Sequence, residues 1–320
     1  MLNISLHLFI AESLSYVAIN RVLTLLNYLQ SGERFMRIFV TIPHFFREVS
    51  VDATNNSQRI GSGPERLRAV AATISALHQH FGNGICGLDH QHIKAHPVGP
   101  EGTCVLDVVI CTTGNHHLLS GRPLLKPLFQ HHSTDAEPLM LGFECHRLLR
   151  EAQGKYDYYG YVEDDIVVHD PMFFSKRRQF DRTFGPEALL QPNRCELSII
   201  GPIFKMYVDY RVHRSVTEAY QNIDDQPTLE MLYGDETVCF ERPSYPSAGC
   251  FFLNAEQLDR WVKSPNFLDG DTSYLKNPLD SAATLSIMKT FRIYKPVLSN
   301  ASFLEVVHSS TRWIGRRLRH

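Results

Sequence analysis

Residues 156–171 read YDYYGYVEDDIVVHDP, and the reading of this stretch decides the fold. Tyr158, Tyr159, Tyr161 and Val162 form an aromatic, β-prone run of the kind that makes a buried strand. Glu163, Asp164 and Asp165 follow it, then the apolar Ile166, Val167 and Val168, then His169, Asp170 and Pro171. Three carboxylates at the end of a buried strand are unfavourable unless a metal or a cationic partner compensates them. In α/β sheets, ligands collect at the carboxyl ends of strands. The stretch therefore reads as a strand that delivers carboxylates to a cation, Mg²⁺ or Mn²⁺, together with a phosphorylated ligand.

Working outward, residues 37–42 are β-branched and aromatic and predict a strand closed by Pro43. Residues 49–62 are polar and read as a loop. Gly63-Pro64-Glu65-Arg66 has the composition of a helix start. Leu67, Val70, Ala71, Ile74, Leu77 and Phe81 then recur at helical spacing. A polar loop is expected over 88–103, a second strand over 105–112 running into a turn at Thr112-Thr113-Gly114, loop over 120–138, and a helix over 139–153. Strand and helix alternating in this way predict an α/β fold with a mostly parallel sheet flanked by helices. After Pro171 the expected elements are a helix at 173–184, short strands within 189–207, a strand at 250–253, a helix at 255–263 capped by Asn254, a helix at 279–289, a strand at 291–296 and a β-like run ending at His308.

Composition sets bounds on this reading. The chain has 320 residues, enough for one large α/β domain or two smaller ones. A formal net charge of −2 argues against a general nucleic-acid binder. The cysteines are odd in number, scattered and without CxxC spacing, which favours reduced thiols in a cytoplasmic protein. No apolar run reaches the roughly 18 residues that a membrane span needs. Residues 1–35 lack a basic start and carry Glu12 and Arg21, so they make a poor signal peptide. They read as an extension ahead of a natural start at Met36, or as an amphipathic helix. Residues 36–311 are expected to form one domain, followed by a basic tail at 312–320. An amphipathic 1–35 together with the tail would allow peripheral contact with the inner face of a membrane.

The order of features resembles the GT-A class of glycosyltransferases, which carry a DxD-type acidic motif after a central strand. VEDDIVVHDP resembles the EDD variant of that motif. Ser247-Ala248-Gly249-Cys250-Phe251-Phe252 resembles their glycine loop, Pro278-Leu279-Asp280-Ser281 their acidic helix start, and His308 in EVVHSS their late histidine. The resemblance implies a GT-A-like, Rossmann-type mixed sheet in one catalytic domain over 36–311, with a nucleotide-binding half at 36–170 and an acceptor half at 171–311. It implies transfer of a sugar from a nucleotide-diphosphate donor to an acceptor hydroxyl. The acceptor would be a glycan, a lipid-linked species or a protein. It also implies roles. Asp165 and His308 would hold Mn²⁺ or Mg²⁺, with Glu163 and Asp164 orienting the donor. Gly249 would let the backbone approach the sugar, and Asp280 would act as the base. The nucleotide would meet Thr41 and Pro43 at the end of the first strand and Thr113 at the second. Arg66 and Arg68 are further candidates for phosphate.

Other readings stay open at this point. Asp280 would serve equally as a helix N-cap, and Gly249 as an ordinary strand-entry glycine. His90, His92 and His96, with His116, His117, His131 and His132, suggest a zinc site, but no HExxH or Cys/His pairing accompanies them. No GxSxG elbow or Gly-Lys-Ser/Thr loop is present. A nucleotidyltransferase, a nucleotide-sugar hydrolase or a non-catalytic metal- or carbohydrate-binding protein would use the same acidic centre.

Overall fold

The computed structural model describes residues 36–51, 56–82, 85–97, 104–122, 124–210, 214–271 and 277–317. The expected extension at 1–35 and the last three residues of the basic tail lie outside the described residues. The first half runs β1 (Met36–Pro43), α1 (Gly63–Phe81), β2 (Cys86–Asp89), β3 (Lys94–Pro97), β4 (Cys104–Thr113), β5 (Gln130–Thr134), α2 (Leu141–Glu151), β6 (Tyr158–Val162) and β7 (Ile166–Val167). Next come α3 (Phe173–Phe184), β8 (Ala188–Leu190), β9 (Asn193–Leu197), β10 (Lys205–Tyr207), α4 (Ser215–Glu218), β11 (Thr228–Tyr233) and β12 (Glu236–Glu241). The chain continues with β13 (Cys250–Asn254), α5 (Ala255–Lys263), α6 (Pro278–Thr290), β14 (Arg292–Pro296), β15 (Glu305–His308) and α7 (Arg312–Arg317).

The central sheet has the order β13-β6-β1-β4-β5. Its β5, β4, β1 and β6 are parallel, and β13 is the one antiparallel edge. The fold is therefore mixed α/β with a mostly parallel sheet, as expected. Alternate residues of the strands face opposite layers. Ile38, Val40 and Ile42 of β1 and Tyr158 and Val162 of β6 pack with α1 and α3. Phe39 of β1 and Tyr159 and Tyr161 of β6 pack with α2, α5 and α6. Both faces are covered, so these strands read as near-continuous apolar runs. Each cluster draws residues from both sides of Asp170.

After β1 the chain crosses to β4 and β5 on one side, then returns to place β6 on the other. The strand order thus reverses beside β1, and a crevice opens at the carboxyl ends of β1 and β6. The acidic triplet occupies the turn there. β7 then leaves the central sheet and pairs antiparallel with β15, with His308 opposite Ile166. A second sheet, β10-β9-β15-β7, thereby carries His308 to the acidic turn.

Two local expectations are corrected, and one hairpin is added. Part of the 88–103 segment is not loop, since β2 and β3 form an antiparallel hairpin. Likewise 120–138 contains β5, an edge strand beside β4 that the polar sequence QHHST concealed. Residues 228–241, not assigned from sequence, form the β11–β12 hairpin. Its Gly234-Asp235 turn is a recognised hairpin signal, and Gly234 has φ +62°. Other elements match closely. The α3 helix spans the expected residues and stops at Gly185. Asn254 caps α5 in a reciprocal capping box with Gln257.

Candidate active site

A cleft of about 340 Å³ lies at the reversal point. Pro43, Arg66, Tyr161, Glu163, Asp164, Asp165, Asn277, Asp280, His308 and Arg312 are among its walls. The acidic turn is positioned from both sides. Glu163 N–H donates to the Gly249 carbonyl at 2.9 Å, and Ser309 N–H donates to the Asp165 carbonyl at 2.8 Å.

Asp164 is the most enclosed of the three acids, 6% exposed. Its Oδ2 lies 2.6 Å from His44 Nδ1. Leu118 N–H donates to His44 Nε2 at 3.2 Å, so that nitrogen is an acceptor and the ring proton sits on Nδ1, pointed at Asp164. Asp164 Oδ1 accepts from Arg66 Nη2, while Arg66 Nη1 donates to Asp165 Oδ2 at 2.9 Å. One guanidinium fork therefore bridges two adjacent carboxylates. Burial opposes the charge on Arg66, but the two carboxylates outweigh it and raise its pKa further.

His308 sits between two acids. Its Nδ1 is 3.1 Å from Glu196 Oε1, and its Nε2 faces Asp165 Oδ2 at 3.6 Å, an ion-pair rather than a hydrogen-bond distance. Burial lowers the pKa of His308, yet Asp165 and Glu196 dominate and push it up to about 9. Burial likewise opposes ionisation of Asp165, but His308 and Arg66 hold it well below the usual carboxylate range. Glu163 moves the other way. Burial first, then the Asp165 charge, push it up to about 7. Fully buried Glu196 also accepts from Trp313 N–H at 2.8 Å and Ile314 N–H at 2.9 Å. The start of the basic tail is thus docked, with Ile314 buried.

Gly249 is adjacent to the acidic turn. Its φ is +67°, and a Cβ there would lie 2.8 Å from Glu163 Oε2. The glycine is required by the turn itself, both for its conformation and for the close approach. Lys295 Nζ holds the same loop by donating to the Ser247 carbonyl at 2.6 Å. Across the cleft, Asn277 caps α6, its Oδ1 accepting from Leu279 N–H at 2.9 Å and Asp280 N–H at 3.2 Å. The cap is thus supplied by Asn277, and Asp280 lies at the cleft wall. Tyr161 Oη is buried beside it without a hydrogen-bond partner among the described residues.

The residues singled out from sequence divide clearly. Pro43, Arg66, Glu163, Asp164, Asp165, Asp280 and His308 converge on the cleft, with Gly249 directly behind Glu163. Thr41 does not line it; its hydroxyl is buried in the sheet and donates to the Gly160 carbonyl at 3.2 Å. Thr113 also lies elsewhere, donating to the Ala136 carbonyl at 3.0 Å. Arg68 is exposed. His92 and His96 surround Asp89 on the β2–β3 hairpin, away from the cleft. Among the described residues no group of three or more His, Cys, Asp or Glu side chains is arranged to hold a metal ion. Sequence reasoning missed His44 and Glu196, which hold Asp164 and His308. His44 follows directly on the first strand and so carried a positional signal; Glu196 carried none.

The ligands expected for Mn²⁺ or Mg²⁺ do not fit a divalent ion in this arrangement. Both Asp164 oxygens have partners, and one Asp165 oxygen faces Arg66. His308 Nδ1 is turned to Glu196, and its Nε2 faces the Asp165 oxygen that already accepts from Arg66.

No protein-family model matches the chain, and no curated protein sequence matches it. Among solved structures the chain is similar to S. aureus TarS, with a TM-score of 0.40 and 8% identity, over 81% of this chain and 35% of that one. It is similar to S. aureus TarS 1–349 in complex with UDP, at 0.40 and 10%, over 81% and 57%. It is also similar to mouse xyloside xylosyltransferase 1 in its apo form, at 0.37 and 10%, over 86% and 96%. The chain spans about a third of the longer TarS chain.

Proposed function

We propose that the cleft binds a nucleotide-diphosphate sugar and transfers the sugar to an acceptor hydroxyl. The observation that carries this reading is the convergence of the acidic turn, Arg66 and Asp280 at the point where the sheet reverses. A crevice there is where an α/β sheet binds nucleotides. Arg66 offers a planar fork suited to phosphate. Glu163 and Asp164 would orient the ribose and sugar, and Asp280 would accept the acceptor's proton in an inverting displacement. The acceptor would be a glycan, a lipid-linked species or a protein.

Mn²⁺ or Mg²⁺ at Asp165 Oδ2 would have to displace Arg66. The test is a thermal-shift screen against UDP-, GDP-, CMP- and TDP-sugars, each with Mn²⁺ and with EDTA. One donor class should raise the melting temperature, because a ligand that binds only the folded state stabilises it. With that donor, Asp280→Asn should keep binding and lose turnover. A screen in which no nucleotide sugar shifts the transition would refute the reading.

A further inference from the structure

We propose that Arg66 takes the place of a divalent cation, joining the acidic turn to the diphosphate of the donor, so that nucleoside diphosphates bind this cleft without metal. The inference rests on the donor reading above and specifies how its charge is handled. A diphosphate brings several negative charges into a cleft walled by Glu163, Asp164, Asp165 and Asp280. Something positive must lie between them.

Arg66 already occupies that position. Its two Nη atoms bridge Asp164 and Asp165, while the side chain lines the cleft. A guanidinium has five N–H donors in one plane, and two of them account for the carboxylates. Each Nη carries a second N–H beyond the one that meets a carboxylate. A fork fixed on one side by two acids is prearranged to meet phosphate oxygens, since its planar geometry favours bidentate recognition. Divalent ions need several oxygen ligands in a permissive geometry. Here each Asp164 oxygen already has a partner, His44 or Arg66, and His308 Nδ1 is turned to Glu196. Arg312 adds a second guanidinium to the same wall.

The full chain would be titrated by calorimetry with UDP, GDP and inorganic pyrophosphate, in EDTA and in Mn²⁺. The best-binding nucleotide should hold its affinity in EDTA to within about twofold. Arg66→Lys keeps the charge but loses the fork, and should weaken binding by about tenfold or more. Mn²⁺ alone, followed by its paramagnetic resonance signal, should stay free with the native chain. It should bind Arg66→Gln, in which two carboxylates face the vacated space. Nucleotide binding that disappears in EDTA and returns with Mn²⁺ would overturn this inference and leave the donor reading standing. No binding of any probe in either condition would overturn both. If Arg66→Gln does not fold, the native chain in EDTA and Arg66→Lys still decide.

Discussion

The chain holds two clusters built from the same letters, histidine and aspartate, and they behave differently. On the β2–β3 hairpin, His92 Nδ1 meets Asp89 Oδ2 at 2.7 Å, with His96 Nε2 at 3.6 Å. The His92 side chain is 67% exposed. Asp89 also receives N–H groups from Gln91 at 2.9 Å and His92 at 3.3 Å, as a turn-forming aspartate does. In the cleft, His44, His308 and Arg66 meet Asp164 and Asp165, with side chains between fully buried and 18% exposed. Water screens the hairpin charges, and pairs of that kind contribute little. The cleft charges are removed from water and depend on one another. Burial, more than composition, separates a turn from a candidate active site.

The sharpest way to break this comparison is to remove one partner on each side. Arg66→Ala leaves two enclosed carboxylates without their shared cation and should cost about 3–5 kcal/mol in urea unfolding. A loss below 1 kcal/mol would mean that the cleft pair is solvated like the hairpin pair.

Changing pH probes the same contrast with the side chains intact. His308 is raised from an ordinary value of 6.5 to about 9. Its contribution to stability is complete below pH 6.5 and disappears as pH rises through 9, amounting to roughly 3 kcal/mol at most. Unfolding of the native chain and of His308→Gln at pH 6.5 and 9.5 measures it. The gap between the two proteins should narrow at the higher pH, whereas His92→Gln should track the native chain at both.

Gly249→Ala asks whether the turn depends on its supporting loop. A side chain at φ +67°, pressed against Glu163, should destabilise by about 2 kcal/mol and lower donor affinity. Native stability with native affinity would show that the loop moves aside freely. The smallest effect belongs to the hairpin. Asp89→Asn should change stability by no more than about 0.5 kcal/mol and leave nucleotide binding unchanged.

Much of the scaffold was legible because its signals are local. The apolar run at 158–162 sits in one strand, the apolar residues from Val70 to Phe81 lie on one helix face, and Asn254 and Gln257 are three positions apart. Strand β5 was not, because its residues are polar and its pairing with β4 comes from outside the segment. The candidate site was half legible. Glu163, Asp164, Asp165, Asp280 and His308 could be nominated from their places in the chain. What holds them could not. Arg66 reaches Asp164 and Asp165 across 98 and 99 positions, and Glu196 reaches His308 across 112.

By itself, then, the sequence determined that a β-strand ends in three acids, and that such acids need positive charge. Hydrophobic periodicity and the cost of burying carboxylates act within a few residues, so both could be read directly. Only the tertiary structure decided which charge arrives. The reversal of the sheet beside β1 brings α1 over the acidic turn, and the pairing of β7 with β15 brings His308. The nearest cation to Asp164 and Asp165 is therefore a guanidinium of the chain itself, and long-range strand order placed it there.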